Sequence, residues 1–175
     1  TFLYVPCTSL WWFEHYSGLR QHLESRHRVL TSSAEEGALY ALTPAAGGLK
    51  PTRAAAQPGR KRVVLVTDHF PKYSETFFAA EFLGLLGRGW DIHVLCNRSN
   101  RDQWPYFPEL SEHLASGERI HVIRDFDAQL EELGPALVHF GYGTLARERM
   151  HIGQVHGCKV VVSFRGYDIN YFGLD

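Results

Sequence analysis

Three short stretches of the chain concentrate polar side chains of the kinds that hold sugars and phosphates. SFRGYDIN (Ser163–Asn170) gathers Arg165, Tyr167 and Asp168 within a few residues. A guanidinium and a carboxylate this close either pair with each other or grip a sugar hydroxyl or a diphosphate. HFGYG (His139–Gly143) sets a histidine just ahead of two glycines. Gly141 and Gly143 let a ligand approach the backbone closely. Free amides of the helix that opens at Thr144 can hold a phosphate or a sugar hydroxyl. DHFPKYSETFF (Asp68–Phe78) brings Ser74 and Glu75 together shortly after Pro71. Each stretch has a structural alternative. A strand-end histidine is often a hydrogen-bonded core residue. Ser74 or Thr76 can cap the following helix, with Glu75 suited to the positive end of its dipole. A fourth polar stretch, Asn97–Arg101, leads toward QWPYFPEL (Gln103–Leu110). Its aromatics either close over a ligand or pack as a surface loop.

The elements that must hold these stretches alternate regularly. RVVLVT (Arg62–Thr67) is an apolar run rich in β-branched residues and reads as a buried strand. Phe78, Phe82, Leu85 and Leu86 share one face of a helix over Thr76–Arg88, which Gly87 and Gly89 end. DIHVLC (Asp91–Cys96), IHVI (Ile120–Ile123), ALVHF (Ala136–Phe140) and KVVVSF (Lys159–Phe164) read as further strands. Helices are expected over Asp127–Leu133 and Thr144–His156, the second closed by Gly157, and a polar loop over Asn97–Glu118. Strands alternating with helices predict an α/β fold, an open parallel sheet with helices on both faces. In such a sheet ligands bind beyond the carboxyl ends of the strands, where all four polar stretches fall.

Residues 62–175 form this alternating unit. Ahead of it, Thr43–Lys61 is rich in Ala, Gly and Pro and reads as a linker. Residues 1–42 read as a short α/β segment. FLYVP (Phe2–Pro6) is a strand candidate, and Trp12, Tyr16, Leu19 and Leu23 recur on one helical face. HRVL and ALYAL follow as two strand candidates. This segment is either the tail of a preceding α/β domain or an arm packed on the longer unit.

Composition removes several classes. The chain has 175 residues, 45% of them hydrophobic, enough for one sizeable core. With a formal net charge of -1 it lacks the basic excess of a nucleic-acid binder. The first strand runs into DHFPKYSE without a glycine, so the GxGxxG of dinucleotide binders is missing there. No GxxxxGK[ST] loop, GxSxG elbow or HExxH metal spacing occurs. Cys7, Cys96 and Cys158 are far apart and odd in number; Cys96 and Cys158 read as small buried hydrophobes in a reducing compartment. Aromatics make up 13%, material for a core or for a sugar-binding cleft.

Taken in order, the motifs resemble glycosyltransferase family 4. VVLVTDHFPKYSETFFAAEFLGLLGRGWDIHVLC resembles that family's opening, with its FPxxSETF-type loop and RGH-like turn. LVHFGYG resembles its HxHFG element, and VVSFRGYDI its SFHGYD or SFRGYD element. The resemblance covers residues 61–175. It implies the acceptor-side, Rossmann-like half of a two-domain GT-B enzyme that transfers sugar with retention. No cofactor and no metal are implied, the nucleotide-sugar being a substrate. By position, His139 would lie near the transferred sugar as the catalytic residue. Ser74, Glu75, Gly141, Arg165, Tyr167 and Asp168 would border the same cleft as substrate-binding residues. The implied partners are a nucleotide-sugar donor, a glycan or lipid-linked acceptor, peripheral contact with a membrane, and a carboxyl-terminal donor-binding domain; no nucleic acid is implied. The chain stops at Asp175 before any such domain, so it is expected to be inactive alone, and its location is expected to be cytoplasmic. Leu137 stands in place of the first His of HxHFG, Arg165 where many members carry His, and PKYSE where some have glycines. A non-catalytic sugar- or nucleotide-binding module is the competing expectation. A receiver-type regulatory domain ranks last, because the first strand is followed by a single acid, Asp68, and the fourth ends in His139 and Phe140.

Overall fold

A computed structural model describes residues 2–7, 10–15, 17–42, 62–165 and 168. The linker expected over Thr43–Lys61 lies outside the described residues, as does Tyr167. In chain order the elements are β1 (Phe2–Val5), α1 (Trp12–His15), α2 (Ser17–Arg26), β2 (Arg28–Ser33), β3 (Gly37–Ala41), β4 (Arg62–Phe70), α3 (Thr76–Gly87), β5 (Asp91–Ser99), α4 (Ser111–Ser116), β6 (Ile120–Val122), α5 (Phe126–Leu133), β7 (Leu137–Phe140), α6 (Gly143–Ala146), α7 (Ile152–Val155) and β8 (Lys159–Ser163). They build an α/β fold around one eight-stranded, mostly parallel mixed sheet, ordered β2-β3-β1-β8-β7-β4-β5-β6.

The apolar runs explain the centre of this sheet. Val63, Val64, Leu65 and Val66 of β4 are all buried, alternating between its faces. On one face Val63, Leu65, Ile92 and Val94 meet Phe78 and Phe82 of α3 and Leu114 of α4. On the other, Val64, Val66, Val138 and Val160 meet Leu130 of α5, Ala146 of α6 and Ile152 of α7. From β4 the chain steps to β5 and β6 on one side, then returns to β7 and β8 on the other. The strand order therefore reverses between β4 and β7. Helix α3 ends as its glycines predict: Gly89, at φ +76°, donates to Leu86 O (2.9 Å) while Trp90 donates to Leu85 O (3.1 Å).

Three stretches depart from the sequence pattern. β4 and β5 run three residues past their apolar ends, to Phe70 and Ser99, because His69 and Phe70 stay in register with Arg98 and Ser99. Backbone pairing carries the polar positions of these extensions, and Phe70 ends β4 buried in the core. Asn97–Glu118, read as a loop, holds 3-10 turns at Arg101–Tyr106 and Pro108–Leu110 and then α4. The single helix expected over Thr144–His156 is two short ones. Arg147, Glu148, Met150 and His151 between them are exposed, so no buried side chain holds a continuous helix there.

Residues 2–42 extend the same sheet. β1 runs parallel to β8, setting Phe2, Leu3 and Tyr4 beside Val161, Val162 and Ser163. β3 then pairs antiparallel with β1, and β2 with β3. Gly37, at φ +97°, is required here: a Cβ would lie 2.3 Å from Val5 O. Leu3, Val5, Phe13, Leu23, Ala38 and Tyr40 form the local core.

At the amino ends of the central strands sits a half-buried charge cluster. Asp91 accepts from Arg62 Nε (2.6 Å) and Arg119 Nη1 (2.8 Å) and lies 3.3 Å from His93 Nε2. His93 Nδ1 and His121 Nε2 are 3.2 Å apart, and the two rings stack. Burial tends to raise the Asp91 carboxyl, but the hydrogen bonds from Arg62 and Arg119 outweigh it and hold the group at about 2. Burial first, then the cations of Arg62 and Arg119 and the His121 ring, lower His93 to about 4 despite Asp91. His121, whose own value burial lowers, also faces Glu132 of α5. A histidine with a lowered folded value binds its proton more readily when unfolded. Stability is thus retained above pH 6.5, the ordinary histidine value, and falls as pH drops toward about 4. Urea unfolding is expected to show a lower midpoint at pH 4.5 than at pH 7, with most of the difference gone in His93→Gln. An undiminished difference in that variant removes His93 as the cause.

Candidate functional site

Where the strand order reverses, between the carboxyl ends of β4 and β7, lies the position at which open parallel sheets hold a ligand crevice. Three of the four polar stretches meet there. The loop after β4 turns at a cis Phe70–Pro71 bond into a 3-10 turn, Tyr73–Glu75, and then into α3. Glu75 is the residue ahead of α3, and its Oε1 pairs with Lys72 Nζ. The other oxygen, Oε2, is buried, and the carboxylate hydrogen-bonds with the Tyr142 hydroxyl. Across the crevice, burial and then the Glu75 carboxylate raise the Tyr142 phenol above its ordinary value. Ser74 is exposed and caps nothing: neither the 3-10 turn nor α3 carries a side-chain cap bond. The capping alternative for Ser74 and Thr76 is therefore not what the loop does.

Arg165 follows β8 and leans into the crevice from the other side. Its guanidinium carbon lies 3.9 Å from the centre of the Phe77 ring and 5.0 Å from that of Phe78. Its Nε donates to Gly141 O at 3.0 Å. Burial pulls the group below its ordinary value, opposed by the charges of Glu81, Tyr142, Glu75 and Asp168. Arg165 and Asp168 do not pair side chain to side chain. Instead Asp168, buried, accepts from two backbone amides, Thr144 N and Arg165 N, each at 3.0 Å. The free amide expected at Thr144 thus has an internal partner.

The space beside both glycines is filled from within. A Cβ on Gly141 would lie 2.3 Å from Phe78 Cζ, and one on Gly143 would lie 2.7 Å from Phe164 Cε1. These glycines admit the protein's own rings rather than exposing backbone to a ligand.

His139 stands one layer deeper. It is 8% exposed, with Nδ1 2.6 Å from Glu81 Oε1 and Nε2 2.8 Å from Ser163 Oγ. A carboxylate only accepts, so in the neutral ring Nδ1 carries the proton and Nε2 accepts from Ser163. Carboxylate, imidazole and hydroxyl in line have the connectivity of a nucleophilic triad. Ser163, however, is fully buried, so its hydroxyl meets no substrate here. The chain of bonds instead ties α3, β7 and β8 together. For His139 to touch any ligand, Ser163 or Glu81 must release it.

Sequence reasoning missed Glu81, Ser163, Tyr142 and Phe77. One signal for Glu81 was present: it is the single charge in TFFAAEFLGLLG, an otherwise apolar helix. A lone acid there must find a partner. Asn97–Arg101 packs on the loop after β4, with Asn97 Nδ2 donating to Asp68 Oδ1 at 2.8 Å and Asn100 Nδ2 to Pro71 O at 3.1 Å. It lines a groove of about 390 Å³ with Trp104, Ile120 and Val122. A further groove, about 820 Å³, lies beside α6 and is lined by Thr144, Phe164, Val162 and Leu3 among others. Among the described residues, no group of three His, Cys, Asp or Glu side chains is placed to hold a metal ion, and no helix is long and apolar enough to cross a membrane. No protein-family model, no curated protein and no solved structure matches this chain.

Proposed function

We propose that this chain is the acceptor-side, Rossmann-like half of a GT-B-type retaining glycosyltransferase. Its partners in that reading are a nucleotide-sugar donor, a glycan or lipid-linked acceptor reached by peripheral membrane contact, and a donor-binding domain facing the crevice. The observation that carries this reading is the convergence of the SETF, HFGYG and SFRGYD stretches on the point where the strand order reverses. Glu75 and Arg165 are the binding candidates whose side chains face that crevice. Neither terminal nitrogen of Arg165 has a hydrogen bond among the described residues, and both suit acceptor oxygens. Sugar transfer needs a placed acceptor and charge stabilisation on the leaving diphosphate. The crevice supplies the first and part of the second, so the isolated chain is proposed to bind without turning over.

Calorimetry on the chain with nucleotide-sugars and oligosaccharides tests this. Binding that weakens at least tenfold in Arg165→Ala, without turnover, is the expected result. Clear transfer or hydrolysis by the pure chain sinks the inactivity claim, and no binding of either ligand sinks the crevice. A second reading, a non-catalytic sugar- or nucleotide-binding module, is favoured by the internal engagement of both His139 nitrogens. It gains if His139→Ala leaves the activity of a chain joined to a donor-binding domain intact.

A further inference from the structure

We propose that the groove at the outer, β5–β6 end of the sheet is a second binding site, one for a phosphate-bearing sugar or nucleoside ring. It is bounded by the carboxyl end of β5, the 3-10 turn Arg101–Tyr106, α4 and the edge of β6. Its volume of about 390 Å³ is that of a small-molecule site. Two features define the ligand. Arg98 and Arg101 both line it, both are exposed, and neither forms an ion pair among the described residues. No Asp or Glu lines it. Asp68 is occupied by Asn97 Nδ2 at 2.8 Å, while Asp102 and Glu118, neighbours in sequence, lie outside the lining. In a chain of net charge -1, two unpaired guanidinium groups on one small concavity select an anion.

The second feature is Trp104. Its ring lines the groove with Arg101 Cζ 5.6 Å from the ring centre. Its Nε1 is buried and meets no hydrogen-bond partner among the described residues. An ionised phosphate offers acceptor oxygens alone, matching the two exposed guanidinium groups. Leu114, Ile120 and Val122 give an apolar floor on which a sugar or base ring can lie. The site rests on this groove and stands whether or not the β4–β7 crevice binds nucleotide-sugars.

Calorimetry on the whole chain with glucose 6-phosphate, uridine 5′-monophosphate, inorganic phosphate and glucose reads it out. At least one phosphorylated ring is expected to bind tenfold or more tightly than inorganic phosphate, with no detectable binding of glucose. Which of the two binds tells a sugar phosphate from a nucleotide. The double variant Arg98→Ala, Arg101→Ala is expected to weaken that binding at least tenfold with an unchanged thermal midpoint, both side chains being exposed. Arg165→Ala should leave the binding unchanged, which separates this site from the crevice. The proposal falls if neither phosphorylated ring binds, if glucose binds as well as glucose 6-phosphate, or if the double arginine variant binds normally. It also falls if Arg165→Ala abolishes the binding, because the ligand then sits in the crevice.

Discussion

Gly141→Ala is expected to destabilise the chain by about 2–3 kcal/mol and to lower its thermal midpoint by roughly 6–10 °C. A methyl group at this position would lie 2.3 Å from Phe78 Cζ and 2.5 Å from Cε1. Retreat of that ring is blocked. Phe78 is 1% exposed, packs edge-on against Tyr142 with centroids 5.7 Å apart, and supports Arg165. The backbone cannot yield easily either, since Gly141 N donates to Val66 O at 2.9 Å. The double variant Gly141→Ala, Phe78→Leu is expected to recover part of the loss, because the shorter side chain vacates the contested space. Thermal melts of the two single variants and the pair measure this coupling. If the two effects simply add, the clash is not the cause.

The second large effect concerns Glu81. Glu81→Ala leaves the buried Nδ1–H of His139 without an acceptor, a loss of about 1–3 kcal/mol. Glu81→Gln retains a side-chain oxygen at the same reach and should lose less than half as much. Ser163→Ala removes the hydroxyl facing Nε2 and is expected to fall between them. Urea unfolding orders the three variants. Equal losses for Gln and Ala would mean that the interaction is not a hydrogen bond to His139 and that the helix is held by apolar packing alone.

The central strands could be read from sequence because burial on both faces demands continuous apolar runs, as in Val63–Val66. The helix over Thr76–Gly87 was legible for a similar reason, through Phe78 and Phe82. Partners were not legible. Nothing local shows that Tyr4 lies beside Ser163, or that His139 lies between Glu81 and Ser163, since these contacts join residues far apart in the chain. The positions of the candidate site residues followed from strand ends. Their roles did not. The glycines of HFGYG read equally as ligand access or as room for Phe78 and Phe164, and packing decided between them. Asp168 read as a partner for Arg165 or for a sugar, and its oxygens meet backbone amides instead.

The strand β1 has a consequence for the rim of the sheet. Without it, β8 would present KVVVS along the rim of the sheet, a flat row of open backbone groups and branched side chains. Such a rim is a template for another chain. With residues 2–42 in place the outermost strand is β2, whose positions are nearly all exposed and which carries Arg28 and an irregular register between Val29 and Thr31. The opposite rim is β6, only three residues long. The β6 rim thus offers little backbone for intermolecular pairing, while at the other end the bulged β2, with Val29 and Leu30 exposed, replaces β8 as the open edge.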